Sequence, residues 1–148
     1  GIAFNPSPNF LNNTDSLPYM GERRMKRRHP TKSCLEAGVL VSTVSDSGGH
    51  TKTAPPTLGI HVLVNYQNPE QRISVGDALR MYTINSAKIG FEEKEKGSLE
   101  PGKLADLVVL SDDPYKVDPK NIRNIQTVLT MVGGKIVYIN NPLFRKYP

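Results

Sequence analysis

The sequence holds one cysteine, Cys34, so no disulfide can form within the chain. Cys34 falls in Thr31–Ala37, where a short helix is expected, and it reads as a small buried hydrophobe rather than a nucleophile. No run of about 18 apolar residues exists, so no transmembrane helix is expected. The opening Gly1-Ile2-Ala3-Phe4-Asn5-Pro6 has neither a basic n-region nor a long apolar h-region, so no signal peptide is expected either. A cytoplasmic setting follows as the expectation. A start without Met fits a chain that begins partway through a larger one, although processing gives the same start.

Apolar residues make up 37% of the 148, and Gly and Pro number 12 each. That is low for a tight globule but not a disordered composition, and the length suits one domain or a domain plus part of another. The apolar residues concentrate after Gly38. The formal charge of +5 owes much to Arg23, Arg24, Lys26, Arg27 and Arg28. No Gly-rich loop, aromatic stacking pair or Cys/His module accompanies this run, so it reads as a solvated face or a seam against other protein. No nucleic acid and no membrane are expected as partners.

Along the chain, residues 1–4 read as a short strand that Pro6 and Pro8 end. A loop through Asn12, Asn13, Asp15, Ser16 and Pro18 follows. Thr31 is expected to cap a helix that Gly38 stops, and Val39–Val44 is rich in β-branched residues, as a strand is. Polar residues Ser45 to Thr51 follow it, and in parallel α/β folds chemistry sits just past a strand's C-terminal end. Pro56 suits a first helical position, with the helix running to about Tyr66. Ser74-Val75-Gly76-Asp77 is a capping box with Asp in place of Glu, opening one helix that ends near Ile89-Gly90. The texture changes at the charged hinge Glu92–Lys96. A turn at 97–103, a strand over Ala105–Leu110, a helical turn capped by Asp118 and a Gly133-Gly134 hairpin follow. A boundary near residue 95 separates 1–95 from 96–148.

Gly97-Ser98-Leu99-Glu100-Pro101-Gly102-Lys103-Leu104-Ala105-Asp106-Leu107-Val108-Val109-Leu110, with Val132-Gly133-Gly134-Lys135-Ile136-Val137-Tyr138, resembles the end of amidohydrolase superfamily members. The helix Ala78–Ala87 and the succession Thr31–Ala37, Gly38, Val39–Val44, Ser45-Asp46 and Pro55-Pro56 are similar to the amidohydrolase 3, exoenzyme-regulatory-like branch. The resemblance is to the C-terminal third only of a family member. It implies an α/β fold: the last part of a (β/α)8 metal-dependent hydrolase barrel over 1–95, and the C-terminal share of a flanking β-sandwich over 96–148. Residues 1–4 and Val39–Val44 would be the seventh and eighth barrel strands.

What it implies chemically is hydrolysis of non-peptide C–N bonds in a small molecule by metal-activated water. Asp46 matches the carboxylate at the end of the last barrel strand, a metal ligand or proton acceptor in the intact enzyme; read from the residues alone, it caps the turn at Ser47-Gly48-Gly49. His50, four residues on, and Asn5, in the loop after the first strand, are candidate substrate contacts. The divalent metal, zinc, belongs to the intact enzyme. A zinc site normally needs three protein ligands, so this chain alone is expected to bind none and to be inactive. Exposed barrel and sandwich edges invite pairing. The partner is then the remainder of the same enzyme, or another copy. The alternative function is a non-catalytic remnant or assembly module that oligomerises through exposed strands.

Overall fold

A computed structural model describes residues 1–11, 17–46 and 55–144. The loop residues 12–16, the segment 47–54 with His50, and the tail 145–148 lie outside the described residues. Strand β1 (Ala3–Phe4) pairs in parallel with β2 (Leu40–Val41), Ala3 opposite Leu40 and Phe4 opposite Val41. Helix α1 (Leu17–Met25) breaks at Gly21, whose φ of 72° and ψ of 159° are not helical. Helix α2 (Thr31–Glu36) passes through Gly38, at φ 75°, into β2. Thr31 does not cap α2: it is the first helical residue, buried, with its Oγ1 3.5 Å from the His29 carbonyl.

Helix α3 (Pro56–Val64) starts on its proline, whose missing N–H is no loss at a first turn. The expected single helix from Val75 to Ile89 is two, α4 (Val75–Tyr82) and α5 (Ile84–Ile89). Thr83 breaks it at φ −125°, ψ −102°. Its hydroxyl donates to the Leu79 carbonyl at 2.8 Å and the Ser86 hydroxyl to Met81 at 2.7 Å, so side chains occupy carbonyls at the junction.

After α5 comes an antiparallel sheet of β3 (Leu107–Leu110), β4 (Thr127–Val132) and β5 (Lys135–Ile139), in the order β3-β4-β5. Gly133 and Gly134, at φ 56° and 77°, make the turn, where both central residues need positive φ. Met131 faces Ile136 and Thr130 faces Tyr138, so Val137 is an extra residue that bulges β5. A 3-10 turn at Pro119–Asn124 is capped by Asp118, which accepts from Lys120 N–H at 2.8 Å. A short helix, α6 (Asn141–Phe144), ends the described chain.

One core joins Val41 of β2, Ile60 and Leu63 of α3, Ala78 and Met81 of α4, Leu11, Tyr66 and Ile73. Ile122 and Ile125, from the 3-10 turn and its end, enter the same core. Gly59 lets α4 approach α3, because a Cβ there would overlap the Tyr82 hydroxyl.

The (β/α)8 barrel remnant is overturned. The parallel sheet has two strands of two residues each, and the other sheet is antiparallel with three, so among the described residues no sheet closes. Closure needs strands long enough to tilt and stagger around a ring. Here β1 runs into Pro6, which has no N–H, and the residues after β2 leave extended geometry by Asp46, at φ 52°. The α/β character itself stands: helices pack on a short parallel pair, beside an antiparallel sheet.

Candidate functional site

The C-terminal ends of β1 and β2 carry a polar network. Ser42 Oγ donates to Asn5 Oδ1 at 3.0 Å, and Thr43 Oγ1 to the Pro6 carbonyl at 2.9 Å. Asn85 of α5 donates to the Val41 carbonyl at 2.8 Å. Tyr82 hydrogen-bonds Thr43; burial pushes its hydroxyl above the ordinary tyrosine range, and the Thr43 contact opposes that. These contacts satisfy buried polar groups and tie α4 and α5 to the strand ends.

Asn5 therefore sits at the expected end of the sheet, exposed, with its carbonyl oxygen already used by Ser42. Asp46 lies three residues past Thr43, exposed and in the left-handed region. His50 falls outside the described residues. His61 Nδ1 lies 3.2 Å from the Pro119 carbonyl, beside Asn65, whose amide donates to that same carbonyl at 2.9 Å. It docks α3 on the 3-10 turn. His29 is half-buried at φ 55°, its Nε2 without a hydrogen-bond partner among the described residues, and burial followed by the Arg28 charge holds its pKa below the usual histidine value.

Among the described residues, no group of three or more His, Cys, Asp and Glu side chains comes together that could hold a metal ion. A protein zinc site needs about that many ligands. The described donors do not make up a metal site, so the main reading from the sequence, a fragment of a metal-dependent hydrolase with Asp46 as a metal ligand, is corrected. The basic run is exposed at Arg23, Arg24, Lys26 and Arg27, while its backbone anchors α1: the Lys26 carbonyl accepts from Asn68 at 2.9 Å and the Arg28 carbonyl from Tyr66 at 3.3 Å. Among the described residues no helix is long and apolar enough to cross a membrane.

The exposed apolar surface lies on the faces of the antiparallel sheet, where the sequence pointed to its edges. All five residues of β5 are exposed, with Val137 at 62% and Ile136 at 55%. Val108 and Tyr138 flank Thr130 across the sheet, and Val109 and Ile139 flank Leu129. All four of these flanking side chains are exposed. The signal was the unbroken run Ile136-Val137-Tyr138-Ile139: without alternation, a strand has no solvent face.

Compared with known proteins, residues 1–138 match the Amidohydrolase family, and the chain belongs to it. That match corrects the expectation of a C-terminal third only, since the family pattern occupies nearly the whole chain. The chain is 30% identical over 151 residues to the putative amidohydrolase YtcJ of Bacillus subtilis, covering 93% of this chain and 28% of that protein. It is 35% identical over 114 residues to the N-substituted formamide deformylase of Arthrobacter pascens, covering 74% of this chain and 21% of that protein. The chain thus spans about a quarter of the length of these relatives. An uncharacterized metal-dependent hydrolase from Pyrococcus furiosus superposes with a TM-score of 0.66 at 30% identity, over 78% of this chain and 24% of that one. An amidohydrolase from Thermotoga maritima gives 0.55 at 28% identity, over 74% and 25%.

Proposed function

We propose that this chain is a non-catalytic assembly module of the Amidohydrolase family, which associates through its exposed strands. The observation that carries the reading is β5, apolar in four of its five positions and exposed along its whole length. A sheet left open this way is a site of association. The bulge at Val137 bends the β5 edge, a device that discourages edge-to-edge pairing. The apolar faces around Val108 and Tyr138 are then the surface to be covered, as in a sandwich. The partner is another copy or a further part of the same protein, and the setting is cytoplasmic. Asp46, His50 and Asn5 remain the candidate polar site of this module. The division near residue 95 remains its proposed boundary, with Ile122 and Ile125 reaching back across it into the common core.

The test is sedimentation velocity on the 148-residue chain from about 1 µM to 1 mM. Association should rise with concentration and fall when Val108 and Val137 are both changed to lysine. The same preparation, loaded with zinc and desalted, should retain no stoichiometric metal and turn over no amide in a substrate panel. A monomer at every concentration, or zinc-dependent hydrolysis, sinks the reading.

A further inference from the structure

Helix α5 ends in a hydrogen-bond pattern that calls for glycine at one position, and phenylalanine stands there. Phe91 N–H donates to the Lys88 carbonyl at 3.2 Å, and Glu92 N–H to the Ala87 carbonyl at 2.9 Å. These are the two bonds of a Schellman ending, whose first residue past the cap takes the left-handed conformation. That residue is Phe91, at φ 59°. Gly90, which the sequence suggests as the stop, sits one place early at φ −78°. A bulky side chain in this region is strained, and glycine there is not. The side chain recovers nothing by packing, because Phe91 is 92% exposed. A strained backbone that projects an aromatic ring into water points to a role outside the fold.

Elsewhere on the molecule lies a cleft of about 660 Å³ between α1 and the segment 66–70. Met25, Tyr66 and Pro69 give it apolar walls, and Glu22, Lys26 and Glu70 lie on its lining. Such a volume holds an aromatic side chain with room to spare. The charges around ring and cleft are of opposite net sign. Residues 92–96, beside Phe91, hold three glutamates and two lysines, and Lys96 is already paired with Glu92 at 2.8 Å. The second half of α1 and the turn that follows it present Arg23, Arg24, Lys26 and Arg27, exposed, against Glu22 and the lining residue Glu70.

We propose that Phe91 of one copy inserts into the α1 cleft of a second copy, with Glu92–Lys96 lying along the basic stretch Arg23–Arg27. Knob and cleft are different surfaces, so the contact is heterologous and adds a copy at each end. It rests on the assembly reading only in that copies associate, and it uses a surface separate from the sheet. The buried patch is small, which places it among weak contacts with roughly micromolar affinity.

The test mixes two variants of the full chain, both carrying Val108→Lys and Val137→Lys to silence the sheet. One adds Phe91→Gly and keeps the cleft; the other adds Met25→Glu and Lys26→Glu and keeps the knob. Each alone should be monomeric by sedimentation velocity, and the mixture should form one-to-one pairs that weaken as salt is raised. Phe91→Gly should raise the thermal midpoint of the otherwise unaltered chain by about 3 °C, and in the chain carrying only the two sheet lysines it should weaken association by about tenfold. A merely structural Phe91 gives the stability gain without the loss of association. No pairing in the mixture, or association unchanged by Phe91→Gly, overturns the proposal. Association that persists in Phe91→Gly but disappears with the two sheet lysines overturns it while leaving the assembly reading intact. Should the cleft variant fail to fold, Phe91→Gly alone decides.

Discussion

Asp106 Oδ1 accepts a hydrogen bond from the Gly133 N–H at 2.7 Å, across 27 residues of chain. The next amide, Gly134, donates to the Ala105 carbonyl at 3.1 Å. Together these bonds fasten the β4–β5 turn to the residues just before β3, so the hairpin and the third strand hold each other in register. A carboxylate accepting a backbone amide is among the stronger hydrogen bonds. Asp106→Ala should therefore lower stability by roughly 1–2 kcal/mol, and Asp106→Asn, which keeps an acceptor, by less. The urea midpoint measures both. Equal losses in the two variants would mean that the charge, or the Ala105 contact, carries the turn instead.

Gly59 and Tyr82 make a second long-range pair. A methyl group at position 59 would meet the Tyr82 hydroxyl before any other atom and then the ring carbon that bears it. Gly59→Ala should cost about 1–3 kcal/mol by overpacking α3 against α4. Tyr82→Phe removes the first atom in the way, along with the contact to Thr43. The double variant should therefore be more stable than the sum of the two single losses, with a coupling of about 1 kcal/mol in a double-mutant cycle. Strict additivity would mean that α4 shifts as a body to make room.

These relationships differ in how far they could be read in advance, and the difference is physical. The Ser74–Asp77 cap is present, with Asp77 N–H donating to Ser74 Oγ at 3.0 Å, because capping is decided within four residues. The Gly133-Gly134 hairpin and the Asp118 cap are local in the same way. The break at Thr83 is not, since Thr and Ser occur within helices and only the turn-to-turn bonds to Leu79 and Met81 end α4. Phe91 in a left-handed position contradicts local preference outright, so no propensity argument could find it. At the candidate site, Asp46 was legible as the residue past a strand end. Whether ligands from other elements gather around it is a tertiary fact, and among the described residues they do not. The strands were legible too, but their exposure depends on what packs against them, which no pattern within one strand contains.

Asp46 itself supports a test of the non-catalytic proposal. It is exposed and holds a left-handed conformation that Asn adopts equally well. Asp46→Asn should leave stability within about 0.5 kcal/mol and leave association unchanged. If the carboxylate were a metal ligand, the substitution would abolish a zinc-induced rise in thermal midpoint. The expected result is that neither the parent chain nor Asp46→Asn shows such a rise, read by calorimetry with and without zinc.

His29 sets a pH dependence whose sign follows from its surroundings. Its imidazole is half-buried, its Nε2 has no hydrogen-bond partner among the described residues, and Arg28 adds a like charge, so the folded chain resists protonating it. The folded-state pKa lies below the unfolded value of about 6.5. As pH falls through about 6.5, the unfolded chain takes up this proton first, and stability is lost until the folded-state pKa is passed. The contribution is fully present above the unfolded value. Glu100 and Asp113 also have lowered pKa values, Glu100 through Ser98 first and Asp113 through the Tyr115 amide first. Their losses begin only below the carboxylate range of about 4–4.5, so the window between about pH 5 and 7 is left to histidine. His29→Asn keeps a residue suited to φ 55° and removes the titrating group. Urea unfolding at intervals through that window should show the parent losing stability and the variant losing less. A parallel fall in both would show that the slope does not come from His29.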